Sequence, residues 1–519
     1  MNEKHNATGG AGQKAHLGDG LLMTGTLDLE ALAKEKAYLQ ELSDKPTLLR
    51  LGGYFKLSGP GWIQSALTLG GGSGSLSLFA GALAGYALLW VNPLSMFFGV
   101  IMMGAMAYMT LSTNIRPFKA VNEYAHPVLG WGWALATLFA NFVWIFGQFN
   151  VSASVVGNIL TFGGSNVPEP MVHLGQFLFG GNLAPADAAN NAFGAIACLI
   201  IAPVCLWVAL HYGKGSRGVR WFENAMKLLV AGIILCFAIV VVKTDTDWIG
   251  VFKGMFSFEL PRLNEKDKLD VVISAFAAAV GINMTFVFPY TLLARGWGRE
   301  HRGLCGFDLS FGMFIPFVFA VSCLTISAGN TLYKTEYLKI AVKEAVIQSD
   351  TELSQAEKDE LIAEAKKPLR DAVSISQSLE PLLGRRYSHI VFGLGFLGMT
   401  TSSIVTMMLV SGFALCEVCG GRMGGAAFKI GTCIPALGML GPFVFGKMQM
   451  WLMVPISVFC FFFIPIAYIT FFVLMNNRRF LGNDMPRGVA RFVWNAGMIV
   501  AILVVTAGGA YKIVAILTT

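Results

Sequence analysis

Six consecutive residues, Gly70-Gly71-Gly72-Ser73-Gly74-Ser75, interrupt an apolar segment that begins near Gly59 and continues past Phe79. A segment of that length can cross a bilayer, which takes about 20 apolar residues. Glycine weakens a helix interior by up to about 1 kcal/mol per residue, so this run predicts a helix that parts in its middle. Backbone freed from helical bonding at membrane depth persists only where it lines a cavity or is buried in protein. Small residues also serve close helix packing, but packing motifs space them four apart. The unspaced run therefore predicts a discontinuous helix, the device by which secondary transporters present half-helix ends and free carbonyls to a solute.

Composition supplies the setting. Of 519 residues, 55% are hydrophobic and 13% are charged, the latter about half the globular share. A polytopic all-α membrane protein is the class that fits. Apolar segments run roughly over 59–82, 86–110, 128–161, 190–211, 221–243, 270–294, 304–328, 388–415, 427–446, 450–475 and 490–516. The net charge of +7 needs no nucleic-acid partner, because the basic residues collect in alternate loops. Arg116 and Lys119, Lys214 to Arg220, Arg295 to Arg302, Arg422 with Lys429, and Arg478 to Arg491 follow the even-numbered segments. Positive charge accumulates on the cytoplasmic side. That places the N-terminus in the cytoplasm and the C-terminus outside, in the cell or inner membrane.

The chain divides into a polar tail over 1–57, a ten-helix core over 58–476 and a loop with an eleventh helix over 477–519. Residues 1–25 read as disordered. Leu29, Leu32, Leu39 and Leu42 then recur at helical spacing, as in an amphipathic helix outside the membrane. The tail lacks the apolar stretch of a signal peptide, so the first membrane helix is expected to direct insertion. An outside insert over 330–386 carries Ser354-Gln355-Ala356-Glu357, a capping-box pattern opening a polar helix. Most of the nine cysteines lie in apolar segments and read as small hydrophobes. The single Cys416-x-x-Cys419 pair lacks the second pair or nearby histidine that a zinc site would need.

Ten core helices suggest two inverted repeats, about 58–243 and 270–476, in which segment six mirrors segment one. Segment six carries Gly281, Asn283, Thr285 and Pro289 at mid-depth. Interrupted helices in matching positions of two halves are the best sequence pointer to a transport site.

With these residues in view, the chain resembles the NRAMP (natural resistance-associated macrophage protein) family of divalent-metal transporters. Gly59-Pro60 with the glycine run, then Gly85-Tyr86 and Leu88-Leu89-Trp90-Val91, are similar to the family's first helix and the start of its second. Phe392-Gly393-Leu394-Gly395-Phe396-Leu397 with Ser402-Ser403 resembles its eighth helix. Ile464-Pro465-Ile466-Ala467, followed by Asn477-Arg478-Arg479-Phe480-Leu481-Gly482, resembles its tenth. The resemblance covers 55–485 in outline. It implies a LeuT-like fold, a 5+5 inverted repeat with helices one and six broken.

It also implies where ligands would lie. The family's Asp-Pro-Gly-Asn signature aligns with Gly70, Gly71, Gly72 and Ser73. Its metal-binding methionine aligns with Ile282, its histidines with Met284 and Pro289, and its tenth-helix glutamine with Phe463. Only Ala279 matches, at a position whose carbonyl contributes to the site. Asp270, Asp308 and Glu223 fall near helix starts, and His126, His211, His301 and His389 at segment ends or loops. Carboxylates or soft ligands are what a dehydrated metal requires, and proton relays use Asp, Glu or His.

The reading that follows is a transporter working by alternating access on a small polar or zwitterionic solute. Gly70, Gly71, Gly72, Ser73, Ala279, Ile282, Asn283 and Thr285 form the expected site. Thr400, Thr401, Ser402 and Ser403 supply hydroxyls for a possible sodium as coupling ion. No catalytic residue or resident metal is expected, since no buried nucleophile–base pair appears. Segment three adds Asn141, Trp144, Gln148, Asn150 and Asn158, of which Trp144 and Gln148 share a face. The alternative keeps the family's work, transport of a divalent cation of the magnesium or manganese type, still hydrated and held by carbonyls. A non-transporting receptor on the same scaffold is a third reading, weakened by the lack of a large soluble domain.

Overall fold

The computed structural model describes residues 29–57, 68–212, 217–262, 265–337, 372–420, 424–445 and 450–518, with scattered positions between 343 and 365. The N-terminal 25 residues, Gly59-Pro60 and the first half of segment one lie outside the described residues. What is described is helical almost throughout, and ten of its helical stretches are long and apolar enough to cross a membrane. They fall on segments two to eleven of the sequence reading.

Two short helices, α1 (Leu29–Ser43) and α2 (Thr47–Leu57), precede the core. Leu39 and Leu42 of α1 are buried, and Lys36 reaches Glu300 at 3.1 Å. The amphipathic helix is thus docked on the loop near residue 300.

The first span breaks where the glycines begin. Thr68 is helical, Leu69 and Gly70 are not, and α3 runs Gly71–Ala84. Gly70 is extended and provides no side-chain cap, so the first N–H groups of α3 lack intrahelical partners. The sixth span parts likewise. The helix α8 (Lys266–Ala279) ends, Val280 and Gly281 are extended, and α9 (Ile282–Ala294) begins. Pro289 sits inside α9 without breaking it. The expected weakness is thus concentrated at 280–281.

Around these broken spans stand α4 (Val91–Thr113), α5 (Pro127–Leu160), α6 (Pro185–His211), α7 (Arg217–Lys243), α10 (Ile315–Ala328) and α11 (Glu380–Val418). Helices α12 (Ala426–Cys433), α13 (Met453–Phe461), α14 (Ile464–Met475) and α15 (Gly488–Thr518) complete the bundle. The broadest packing is α11 on α5, with α3 against α10 and α8 against α13. Helix ends carry their stop signals. Asn114 adopts a left-handed conformation after α4, and the His126 ring accepts from Val128 N at the start of α5. The Ser354–Glu357 box closes as expected, Ser354 N donating to Glu357 Oε2 at 2.9 Å and Glu357 N to Ser354 Oγ at 3.4 Å. The Ser354 hydroxyl also donates to Glu357 Oε2 at 2.7 Å, and that bond first, with the Ser354 N–H second, holds the Glu357 carboxyl below its ordinary range.

Two features were not expected. The seventh span includes π-helical turns over Asp308–Phe314 and Gly329–Tyr337. The tenth parts between α13 and α14, at Phe462–Phe463.

Candidate functional site

The breaks in spans one and six meet, and a cavity of about 50 Å³ lies between them. That is room for roughly three or four water-sized centres, which suits a partly hydrated ion or a very small solute. Its walls are Thr68, Gly70, Gly72 and Ser73 from the first break, Ala278, Gly281, Asn283, Met284 and Val287 from the sixth span, Trp144 and Gln148 from α5, and Ser403, Thr406, Met407 and Val410 from α11. None of these side chains is ionisable.

Close approach explains the glycines better than flexibility alone. A side chain at Gly71 would run into the Thr400 methyl and the Gln148 amide oxygen. One at Gly281 would meet the Trp144 ring at 2.7 Å. The backbone of each break is therefore pressed directly on its neighbour.

The polar groups divide into spent and unspent. Ser73 Oγ donates back to the Thr68 carbonyl, Ser75 Oγ to Gly71 O at 2.7 Å and Ser77 Oγ to Ser73 O at 2.8 Å. Trp144 Nε1 donates to Ser457 Oγ at 3.1 Å. Asn283 donates to Asn141 Oδ1 at 3.0 Å and accepts from Met284 N at 2.9 Å. The Met284 sulfur takes the Thr68 hydroxyl at 3.4 Å. Gln148 differs. The residue is only 2% exposed, and its Oε1 has no hydrogen-bond partner among the described residues. At the end of α8, Val280 makes no capping bond, and a helix C-terminus carries partial negative charge on its last carbonyls.

Of the residues expected at the site, Gly70, Gly72, Ser73, Asn283 and Ser403 line the cavity, and Gly71 sits behind it against Gln148. Ala279, Ile282 and Thr285 do not line it. Asn283, Met284 and Val287 occupy the inward face of α9, with Gly281 at the break before it, and the same helical turn sends Ile282 and Thr285 the other way. The Thr285 hydroxyl donates to Ile282 O at 2.6 Å and accepts from Trp133 Nε1 at 3.2 Å. The Ala279 methyl is buried among apolar residues that include Leu69 and Met96.

The α11 hydroxyls are mostly turned to their own helix. Thr401 donates to Leu397 O at 2.6 Å and Ser403 to Met399 O at 3.0 Å. Thr400 accepts from Ser152 Oγ at 2.7 Å and lies 3.2 Å from Leu397 O; Ser402 is half-buried. Met284, Met407 and Thr406 were not expected at the site. For Thr406 and Met407 the signal was positional, a face of α11 at spacings of three and four through Ser403, Thr406 or Met407, and Val410; Met284, on α9, was marked only by its alignment with a family histidine.

Ten membrane-length helical stretches among the described residues, the sixth span among them broken, together with a broken first span and a cavity where the two breaks meet, define a polytopic transporter of the LeuT-like fold. The chain matches the family described as natural resistance-associated macrophage protein-like over residues 61–512, and it belongs to that family. A relative from Populus trichocarpa, metal transporter Nramp6.2, is 23% identical over 282 residues, 53% of this chain and 45% of the relative. The matched stretch thus spans about half the length of that relative. A mutant form of the Eremococcus coleocola manganese transporter superposes with a TM-score of 0.56 at 12% identity, covering 88% of this chain and 86% of that one. MhsT in complex with L-phenylalanine superposes at 0.52 and 13%, covering 87% and 98%. At such identities these two likenesses concern the fold alone.

Proposed function

We propose that this transporter carries a divalent cation, with part of its water shell, held by neutral oxygen and thioether donors. The observation that carries the reading is the Gln148 amide oxygen, buried in the cavity wall without a donor among the described residues. A buried acceptor left unmade costs about 1–3 kcal/mol, and a cation or its bound water would satisfy it. The open end of α8 adds negative potential from the other side. Family membership and the names of the relatives support the same cargo. Met284 and Met407 bring sulfur to the wall, which favours softer ions, so manganese and cadmium should outcompete magnesium. The loop charges support a cytoplasmic N-terminus.

The test is flux into proteoliposomes. Manganese uptake by the wild type, reduced about tenfold in Gln148→Leu, is expected. Absence of uptake for manganese, cadmium and magnesium alike would overturn the reading.

A second reading, a small zwitterion, is favoured by one observation. The cavity lies between a half-helix N-terminus, at α3, and a half-helix C-terminus, at α8. These ends suit a carboxylate and an amine respectively. Uptake of glycine or alanine, with no divalent flux in the same vesicles, would establish it in place of the first. For the coupling ion, sodium at Thr400 and its neighbours is the proposal. Indifference of uptake to a sodium gradient would reject it.

A further inference from the structure

A second, larger groove of about 400 Å³, sharing no lining residue with the cargo cavity, lies between α2 and the start of the seventh span. Its polar wall is Thr47, Arg50 and Ser310, and its apolar wall includes Tyr54, Phe307 and Phe311. We propose that this groove is a binding site for an anionic phospholipid, its phosphate on Arg50 and one acyl chain against the seventh span.

Three observations carry the assignment. The first is the surface of α2. Leu48 is 83% exposed, and Leu49 and Phe55 are exposed too, on a helix that also bears Arg50 and Lys56. An amphipathic helix of this kind lies in the membrane interface with its apolar side chains among the lipids, which sets the groove at headgroup level. The neighbouring Arg295, Arg299 and Arg302 mark the same boundary.

The second is Arg50 itself. The guanidinium lines the groove and makes no ion pair or side-chain hydrogen bond among the described residues, whereas nearby Arg299 and Arg302 are both paired with Asp484. A free guanidinium at headgroup level matches a phosphate, to which it can donate two parallel hydrogen bonds, and juxtamembrane basic residues attract anionic lipids.

The third is continuity. Phe311, Ile315 and Phe319 are spaced by four and all exposed, so they form one stripe running along the span from the groove. A phosphate at Arg50 would put an acyl chain directly on that stripe. Room for the lipid comes from small residues. A side chain at Gly306 would meet nothing within 4 Å.

That last fact supplies a clean test. Gly306→Leu adds a side chain at the groove wall, where its Cβ has free space, Arg50→Gln removes the charge, and Lys56→Gln removes an exposed cation outside the groove. The full chain, purified in detergent, is titrated with phosphatidylglycerol, phosphatidylcholine or inorganic phosphate. Bound lipid is read by native mass spectrometry, with the melting temperature of the lipid-free protein as the folding control. The wild type should hold phosphatidylglycerol at least tenfold more tightly than phosphatidylcholine. Arg50→Gln should cut that preference below twofold, Gly306→Leu should weaken both lipids, and Lys56→Gln should change neither. Equal binding of the two lipids by the wild type would overturn the proposal. So would an unchanged preference in Arg50→Gln, unweakened lipid binding in Gly306→Leu, or displacement of the lipid by inorganic phosphate at equal concentration.

Discussion

The centre of this transporter and its ends handle polarity in opposite ways. At the centre, every residue lining the cargo cavity is neutral. At the ends, charges are buried in pairs. Asp270, at the start of the sixth span, is bonded to Lys512 of the eleventh. Glu417, at the end of α11, accepts from the Tyr290 hydroxyl at 3.1 Å and faces Arg116 at 3.6 Å; Phe118 N donates to the same hydroxyl at 3.1 Å. The difference teaches where a bilayer protein can keep a charge. An ion pair can be held where helices end and partners or water are near. At mid-depth the same groups would carry a desolvation penalty of several kcal/mol per ion, so the centre leaves its polar demand to backbone ends and one amide.

This contrast can be broken or sharpened by substitution, beginning with the largest effect. Lys512→Met leaves the partly buried Asp270 without its lysine, and should cost about 3 kcal/mol of stability, the low end of the range for a broken buried pair. The double variant Asp270→Leu with Lys512→Met should regain most of it. Unfolding in mixed micelles measures both, and a single variant as stable as the wild type would show the pair to be incidental.

Next is Gly72→Asp, which puts a charge into the neutral centre. Without cargo it should destabilise by about 3 kcal/mol. Millimolar manganese should restore the melting temperature if the cargo is a cation. A melting temperature indifferent to manganese would count for the zwitterion, and no effect in either condition would mean that the cavity has been misassigned.

Gln148→Leu comes third and has an unusual sign. Cargo affinity should fall about tenfold, or about 1.4 kcal/mol, while the empty protein melts at a slightly higher temperature because an orphan acceptor has gone. A lower melting temperature in the empty variant would show that Gln148 is a packing residue. Smallest is Glu417→Gln. The Tyr290 contact survives and only the attraction to half-exposed Arg116 is lost, so less than about 1 kcal/mol is expected. The loss should shrink at 1 M salt, and a salt-independent loss would locate the effect in packing instead.

Both helix breaks could be seen in the sequence, because glycine and its neighbours lose helical stability wherever they stand. Gly70 to Gly72 and Gly281 mark the two points where the spans part. The Ser354–Glu357 box was legible for a similar reason, being a contact between residues three apart. Part of the site was not. Asn283 and Thr285 look equivalent on paper, yet one faces the cavity and the other bonds Trp133. Gln148 was visible only as one of several polar residues on α5, and nothing local shows that its amide oxygen lines the cavity without a partner among the described residues. Glu417 lies just past the apolar segment that ends near residue 415, and nothing local shows that Tyr290 and Arg116 reach it.

By itself, then, the sequence determined what is decided within a turn or two of helix: the membrane class, the spans, the points of fracture and the caps. Which faces look at one another was decided by tertiary structure alone. Pressing Gly71 onto Thr400 and Gln148, and Gly281 onto Trp144, depends on contacts between helices far apart in the chain. The reason is geometric: a helix fixes the angle between its own side chains, but only its packing fixes the direction in which that set of angles points.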